Sequence, residues 1–393
     1  MNQQASITNQ TQRQMIILGD AGLSIEDVAR VSEKSPIFLD LASDVLERAA
    51  RSAQWLKDSL EQDGVIYGVT TGYGDSCVVD VPATHVLARP RQLARFHGCG
   101  MGKILDEDEA RAVIAVRLAS LCRGYSGVRL ELLDRLVLLL NENILPLIPA
   151  EGSVGASGDL TPLSYIASVL MGEGEVLYKG EVRPSTNVFE ELGLRALTLQ
   201  PKEGLALMNG TAVMTGLAVI AYRRADDLAR LASRLTSLAV VALSGNPNHF
   251  NERLFQVKPH PGQTEVARWI REDLDIFQQS HEPKRLQDRY SLRCAPHVIG
   301  VLQDILPTLR QFIETEINSS NDNPIIDEEE QAVLHGGHFY GGHIAFAMDS
   351  LKNSVANIAD LMDRQMALLV DPKFNNGLTA NISGAMGKDA PIN

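Results

Sequence analysis

Residues 151–160 read EGSVGASGDL, and the tripeptide Ala156-Ser157-Gly158 within them could build an electrophile from its own backbone. Gly158 has no Cβ, so its amide nitrogen can approach the carbonyl carbon of Ala156 in a strained turn. Attack at that carbon, with loss of one water, closes a five-membered ring. Loss of a second water from the Ser157 side chain leaves a methylidene conjugated to the ring. The product, a methylidene-imidazolone, is an electrophile that no ordinary side chain supplies.

Two simpler interpretations of the same segment compete with this one. A glycine-serine turn is the usual meaning of an isolated pattern of this kind. A phosphate-binding loop would need a Lys followed by Ser or Thr, which the segment lacks, and Asp159 would place negative charge beside the phosphate. The residues after Asp159 have a helical pattern, which places the tripeptide near a helix N-terminus. The partial positive charge there would make the ring more electrophilic.

Residues 152–167, GSVGASGDLTPLSYIA, resemble the cofactor-forming loop of the histidine, phenylalanine and tyrosine ammonia-lyases and the related aminomutases. Four further motifs resemble the family in the same order, namely YGVTTGYG (67–74), KEGLALMNGT (202–211), QDRYSLRC (287–294) and SNDNP (320–324). The resemblance implies a mainly α fold, an elongated long-helix bundle of the fumarase/aspartase type with a loop-rich N-terminal domain that carries the cofactor loop. It also implies a homotetramer, a methylidene-imidazolone formed from residues 156–158, and no metal or diffusible cofactor.

The resemblance also gives roles to single residues. Tyr67 corresponds to the base that removes the β-proton of the substrate, and the glycines beside it fit a mobile lid. Asn209 corresponds to the residue that holds the ring oxygen or the bound amine. Without the resemblance, Tyr67 would be interpreted as a packed strand tyrosine, and Asn209 as a buried amide inside a helix that needs partners.

The substrate would be held by a second group of residues. The planar guanidinium of Arg293 would pair with the substrate carboxylate, although a surface arginine is the simpler interpretation. Gln287, a predicted substrate-binding residue, and Tyr290, a predicted catalytic residue, lie three residues apart on one predicted helical face, and the resemblance places both near the carboxylate and the electrophile. Leu160 and Phe339 complete the predicted substrate pocket, and a core phenylalanine is the alternative for Phe339.

The pair Phe96-His97 corresponds to the residues that contact the ring of the substrate. In the family, tyrosine-selective members place His first, phenylalanine-selective members have Phe then Leu, and histidine lyases have Ser then His. This chain is a hybrid: Phe96 favours an apolar ring, and His97 offers a hydrogen bond to a phenol or an imidazole. Because an unpaired polar group in the pocket penalises a substrate, phenylalanine or tyrosine is the expected substrate, with histidine as the alternative. A structural role is the other interpretation of His97.

The expected reaction is the elimination of ammonia from an aromatic L-amino acid to give an arylacrylate. Three alternatives remain: a histidine ammonia-lyase that releases urocanate, an aromatic 2,3-aminomutase, and an inactive truncated paralogue. Tyr73 and His338 depart from the family pattern, where Phe and Asn are common. The family continues past residue 393 through further long helices, so the chain is expected to be truncated on its C-terminal side.

Composition limits the possible partners. The 393 residues carry a net charge of −13, which argues against binding to nucleic acid or to an anionic membrane, whereas a zwitterionic amino acid is compatible. The four cysteines are scattered, which suggests neither a disulfide scaffold nor a zinc site. The polar N-terminus lacks the apolar core of a signal peptide, so a cytoplasmic protein is expected.

Helical periodicity predicts the elements that must position these residues. Helices are predicted over residues 25–33, 41–60, 106–122, 130–141, 298–317 and 348–369, and one continuous rod over 204–243. A strand is predicted at 65–69 and a hairpin at 175–177 and 181–183. A boundary near residue 200 would separate an N-terminal domain (1–200), with the lid and the cofactor loop, from a central long-helix bundle (201–393).

Overall fold

The computed structural model describes residues 14–33, 37–62, 64–276 and 285–383, and it is mainly helical, with 60% helix. The predicted α class with long helices is confirmed. The helices are α1 (Ile25–Ser32), α2 (Ser43–Glu61), α3 (Ala83–Val86), α4 (Arg89–His97), α5 (Glu107–Cys122), α6 (Leu130–Asn141), α7 (Leu160–Leu170), α8 (Ser185–Glu191), α9 (Glu203–Met208), α10 (Ala212–Ala242), α11 (Glu252–Gln256), α12 (Pro261–Ile276), α13 (Tyr290–Arg293), α14 (Ala295–Ile317) and α15 (Gly342–Val370).

Short strands pair locally in small sheets. They are β1 (Gln14–Leu18), β2 (Ile37–Leu41), β3 (Met101–Ile104), β4 (Leu145–Pro146), β5 (Pro149–Glu151), β6 (Glu175–Tyr178), β7 (Glu181–Pro184), β8 (Ile325–Asp327) and β9 (Ala332–Leu334). β1 and β2 run parallel, whereas β3–β5, β4–β6–β7 and β8–β9 are antiparallel. The predicted hairpin is confirmed as β6–β7. The strand predicted at 65–69 is wrong, because this segment forms turns in which Thr70 Oγ1 accepts a hydrogen bond from the amide of Ile66 at 2.8 Å.

The described residues divide into two compact units, one formed by residues up to 220 together with 313–344, the other by 221–312 together with 345 onward. The predicted boundary near residue 200 stays a prediction. In the first unit, α5 is buried along nearly its whole length, and α4, α7 and α9 pack against one another. The loop that precedes α7 is therefore anchored on packed helices.

The predicted rod over residues 204–243 is wrong at one point, where the helix is interrupted between α9 and α10. Asn209 has an extended backbone, and Gly210 has φ +146°, a conformation that residues with a side chain rarely adopt. The apolar periodicity continues across the interruption, so it could not be seen in the pattern. The interruption frees Asn209 from the helix.

In the second unit, the long helices are the C-terminal part of α10, most of α14 and most of α15. Pro307 lies inside α14. Gln365 of α15 donates hydrogen bonds from Nε2 to Thr236 Oγ1 of α10 at 2.9 Å and to the carbonyl oxygen of Ser291 at 2.8 Å, and so ties the short helix α13 to the long helices. Across the described ranges, no helix combines the length and the apolar character that crossing a membrane requires.

Candidate active site

A cavity of about 680 Å³ in the first unit brings together seven of the predicted site residues. These residues are Tyr67, Phe96, His97, Ser157, Leu160, Asn209 and Phe339. They come from the turn after α2, the end of α4, the loop before α7, the α9–α10 interruption and the segment before α15. Residues distant in the sequence therefore share one concave surface of the size that small ligands occupy.

The tripeptide forms a tight left-handed turn at the N-terminus of α7. Ser157 has φ +58° and Gly158 has φ +77°, and a Cβ on Gly158 would lie 2.2 Å from the carbonyl oxygen of Gly210, so position 158 requires glycine. A non-glycine residue with positive φ stores strain. A strained turn closed by an obligatory glycine is the geometry that condensation of Gly158 onto Ala156 needs, so the residues present fit the methylidene-imidazolone.

Asn209 holds the tripeptide with a side-chain amide of fixed orientation. Its Oδ1 accepts a hydrogen bond from the amide of Asn323 at 2.7 Å, and its Nδ2 donates to the carbonyl oxygen of Ser157 at 2.6 Å. Because a backbone N–H can only donate, Oδ1 must face Asn323, and the NH2 group must face Ser157. The prediction that Asn209 lies inside a helix is wrong. The carbonyl oxygen of Ser157 is the atom that would become the ring oxygen, and the role there that the resemblance implies for Asn209 stays a prediction.

A buried polar network contacts the backbone of Asn209 and the segment to which its side chain is bonded. The fully buried Arg117 of α5 donates from Nη1 to the backbone carbonyl of Asn209 at 3.0 Å and to Asn321 Oδ1 at 3.2 Å. Next to it, Lys202 Nζ lies 2.5 Å from Asp322 Oδ2, and both side chains are shielded from solvent. Burial lowers the pKa of Lys202, and the charge of Asp322 opposes that shift. The segment that contacts Asn209 is thus fixed by buried charges.

Asp159, directly after the tripeptide, fastens the loop to the start of α10. Its Oδ2 accepts hydrogen bonds from the amides of Val213 at 3.0 Å and Met214 at 2.9 Å, and its Oδ1 accepts one from Ser153 Oγ at 3.0 Å. The carboxylate thereby occupies donors that the first turn of a helix leaves free. Burial nevertheless raises the pKa of Asp159 to about 6, and the hydrogen bonds only partly offset this.

Tyr67 is held at its phenol oxygen, which accepts a hydrogen bond from the amide of Gly74 at 2.8 Å. Its ring makes edge contacts with the rings of Tyr73 and His335, each with the centroids 6.5 Å apart. The hydrogen bond from Gly74 therefore fixes the position of the phenol oxygen at the cavity. Burial raises the pKa of the neighbouring Tyr73, although the charge of Arg89 opposes this shift.

Phe96 and His97 end α4 at the cavity, and Phe96 is 80% exposed. His97 Nδ1 lies 3.0 Å from the carbonyl oxygen of Leu93. Because that oxygen can only accept, we assign the hydrogen to Nδ1, and Nε2 of the neutral imidazole is then an acceptor. A ring that donates a hydrogen bond would therefore match His97.

The three remaining predicted residues lie in the second unit. α13 begins only at Tyr290, with Arg289 as its N-cap, so the prediction that Gln287 and Tyr290 share a helical face is wrong. Tyr290 and Gln287 are exposed. Arg293 donates from Nε to the carbonyl oxygen of Asp288 at 3.0 Å, and its guanidinium carbon lies 4.7 Å from the centroid of the Tyr290 ring.

Sequence reasoning missed four residues of this region: Arg89, Arg117, Lys202 and Asp322. Arg117 interrupts the mostly apolar stretch over residues 112–122, and Lys202 and Asp322 lie inside motifs that the resemblance rests on, so these three carried a signal. Arg89 carried none. Within the residues that the structure describes, no group of three or more His, Cys, Asp or Glu side chains could hold a metal ion.

Comparison with known proteins gives consistent matches. The sequence matches the aromatic amino acid lyase family over residues 23–390. Histidine ammonia-lyases from Geobacillus sp. (strain WCH70) and Staphylococcus aureus (strain JH9) are 37% and 38% identical, over 92% and 93% of this chain and 72% and 73% of the relatives' lengths. The solved structure of a tyrosine aminomutase from Streptomyces globisporus is 35% identical, with a TM-score of 0.86, over 95% of this chain and 74% of that one.

Proposed function

The chain belongs to the aromatic amino acid lyase family of carbon–nitrogen lyases, and we propose that it eliminates ammonia from an aromatic L-amino acid whose ring donates a hydrogen bond. Histidine is the substrate that we propose as the preferred one. The observation that carries the proposal is the cavity in which Ser157, Asn209, Tyr67 and His97 meet. The products would be ammonia and an arylacrylate, which is urocanate when the substrate is histidine.

The tripeptide and its neighbours would supply the chemistry. The methylidene-imidazolone that residues 156–158 would form supplies an electrophilic carbon for the substrate amine and makes nitrogen a leaving group. Tyr67 would take the β-proton, with the amide of Gly74 holding its phenol oxygen in place. Asn209 Nδ2 donates to the carbonyl oxygen of Ser157 and so favours electron density at that atom.

Substrate choice would follow from His97. With Nδ1–H engaged by Leu93, Nε2 can accept from an imidazole N–H or a phenol O–H but gains nothing from a phenyl ring. The similarity to histidine ammonia-lyases supports histidine as the substrate. Phenylalanine or tyrosine, which the pair Phe96-His97 led us to expect, is supported less. Histidine is therefore our first substrate and tyrosine our second.

An aminomutase acting on tyrosine is the second candidate function. It is favoured by the similarity to the tyrosine aminomutase structure and by a His97 acceptor that a phenol would satisfy. This reaction would use the same cavity but return ammonia to the β-carbon, so its product would be a β-amino acid.

We also propose that the protein acts as a homotetramer, as the resemblance implies. Leu231, Leu235 and Leu238 lie at four- and three-residue steps on α10 and are 55%, 44% and 46% exposed. An exposed leucine stripe on a long helix is the type of surface that another subunit covers. Light scattering of the purified protein should give four chains per particle, and a monomer would contradict this proposal.

One set of assays tests the function. The purified chain is incubated in parallel with histidine, tyrosine and phenylalanine, and ammonia, arylacrylate and β-amino acid are measured. The proposal predicts most turnover with histidine, less with tyrosine and least with phenylalanine. Ser157→Ala, the matched control, should lose turnover, and its mass should not show the loss of both waters, roughly 36 Da, that ring closure and dehydration of the Ser157 side chain cause in the wild type. Equal turnover by Ser157→Ala, or a preference for phenylalanine, would contradict the proposal.

A further inference from the structure

Arg89 is the one Lys, Arg, Asp or Glu among the residues that line the cavity as the structure describes it. It is the first residue of α4, and Leu93 and His97, one and two helical turns further on, line the cavity with it. At about 1.5 Å per residue, Arg89 lies roughly 12 Å along the helix axis from His97. One face of α4 thus carries a cation at one end and the ring-binding pair Phe96-His97 at the other.

The guanidinium of Arg89 has an edge without an acceptor. Its Nε and Nη2 are shielded from solvent and make no hydrogen bond with any of the described residues. Its central carbon lies 4.3 Å from the centroid of the Tyr73 ring, so a face of the guanidinium is covered while the edge stays unused. Donors that are shielded from solvent and lack acceptors are costly, and in native proteins they generally indicate a missing partner.

The same edge binds carboxylates elsewhere in this protein. Arg95 holds Glu173 through Nε at 2.9 Å and Nη2 at 2.8 Å. Arg129 holds Glu203 through Nε and Nη2, both at 2.9 Å. The pair of donors that Arg89 leaves unused is therefore the pair with which an arginine grips a carboxylate in two places.

We propose that Arg89 is a substrate-binding residue whose Nε–Nη2 edge receives the α-carboxylate of the amino acid and the carboxylate of the arylacrylate product. This inference rests on the proposed function. An aromatic amino acid carries its carboxylate at one end and its ring at the other, which matches the cation and the ring-binding pair on α4. The carboxylate would reach the edge as the segment around Tyr73, which the sequence predicts to be a mobile lid, moves aside.

Arg293, the carboxylate partner that the resemblance implies, has a different arrangement. Its Nε already donates to the carbonyl oxygen of Asp288, so its Nε–Nη2 edge is partly engaged. Arg89 accordingly offers an unused two-donor edge, whereas the same edge of Arg293 is partly occupied.

The test measures, for the wild type and for each variant, the binding of pairs of ligands that differ only in having a carboxylate or a carboxamide. Binding of urocanate and 4-coumarate, and of the primary carboxamide of each, is measured by calorimetry for the full chain and for Arg89→Gln, Arg89→Lys and Arg91→Gln. Arg91 is the matched control, because it lies on the same helix and pairs with Glu173. We expect the wild type to prefer carboxylate to carboxamide at least tenfold, and Arg89→Gln to lose most of that preference.

Arg89→Lys should retain part of the preference, because it keeps the charge and loses the two-donor geometry. Arg91→Gln should keep all of it. A variant that merely disturbs the fold would weaken carboxylate and carboxamide alike and leave their ratio unchanged. An unchanged ratio in Arg89→Gln, or an equal loss in Arg91→Gln, would overturn the proposal. The readout needs no turnover, so an absence of ammonia release would count against the proposed function and not against Arg89.

Discussion

Replacing Asp159 by Asn should stabilise the protein at neutral pH, although it removes a charge that three hydrogen bonds hold. Burial raises the pKa of this carboxyl from 3.8 to about 6. Below about pH 4 the group is protonated in the folded and the unfolded chain. As the pH rises towards 6, the unfolded chain loses the proton first, and the folded state loses stability until the folded group has ionised as well.

The size of the effect follows from the shift. A difference of about two pKa units corresponds to about 3 kcal/mol at pH 7, and to about 1.6 kcal/mol at pH 5, where the folded group is still mostly protonated. Asn has nearly the same shape, and its side-chain oxygen can accept from the amides of Val213 and Met214 without carrying a charge. Ser153 Oγ can then turn and accept from the new amide.

Urea unfolding of the wild type and of Asp159→Asn at pH 5, 6, 7 and 8 measures this difference. The variant should be the more stable protein, and its advantage should widen between pH 5 and pH 7 and then level off. Glu329→Gln, at an exposed acid, controls for the loss of one negative charge. A variant that is less stable than the wild type at pH 7, or an advantage that does not change with pH, would refute the reasoning. The amides of α10 would then stabilise the carboxylate more than burial penalises it.

Three further substitutions test the site. Tyr67→Phe should lower kcat roughly 10²- to 10⁴-fold with little change in KM, because it removes only the proton acceptor; an unchanged kcat in steady-state assays would exclude Tyr67 as the base. Asn209→Ala removes the donor to Ser157 and should lower kcat roughly 10²- to 10³-fold, as the loss of one hydrogen-bond donor to a developing oxyanion does in other enzymes. Kinetics on the protein fraction that has lost both waters would separate this loss of turnover from a failure of ring closure. Lys202→Met leaves Asp322 buried and unpaired and should cost about 3–5 kcal/mol in urea unfolding, whereas adding Asp322→Asn should recover part of it. If the double variant instead lost as much free energy of unfolding as the two single variants together, the two residues would not act as a pair.

Local signals predicted much of the fold. The helix at 130–141 is found with the predicted bounds. The helix predicted at 25–33 begins at the predicted residue, where Ser24 and Asp27 form a capping box. Caps, prolines and apolar periodicity act within a few residues, so the sequence displays them directly.

Other features could not be predicted from the sequence, because they depend on residues that are distant along the chain. Asn209 leaves the helical path in order to bond Asn323, which lies 114 positions later, and nothing in its immediate neighbours requires this. Arg117 interrupts an apolar stretch, but its neighbours do not reveal which acceptors it reaches, namely the backbone of Asn209 and the side chain of Asn321. Arg89 belongs to no motif, and only its position on a shared cavity distinguishes it from the other arginines of α4.

The interruption between α9 and α10 bears on attempts to transplant this chemistry into another scaffold. A graft of residues 152–160 alone would carry the reactive tripeptide but neither the amide that grips Ser157 nor the helix start that receives Asp159. Those come from residues 209–214, whose own placement depends on residues 321–323. The smallest portable version of the ring-forming part of the site is therefore three stretches spread over about 170 positions, and a designer would have to reproduce their mutual placement before any ring could be expected to form.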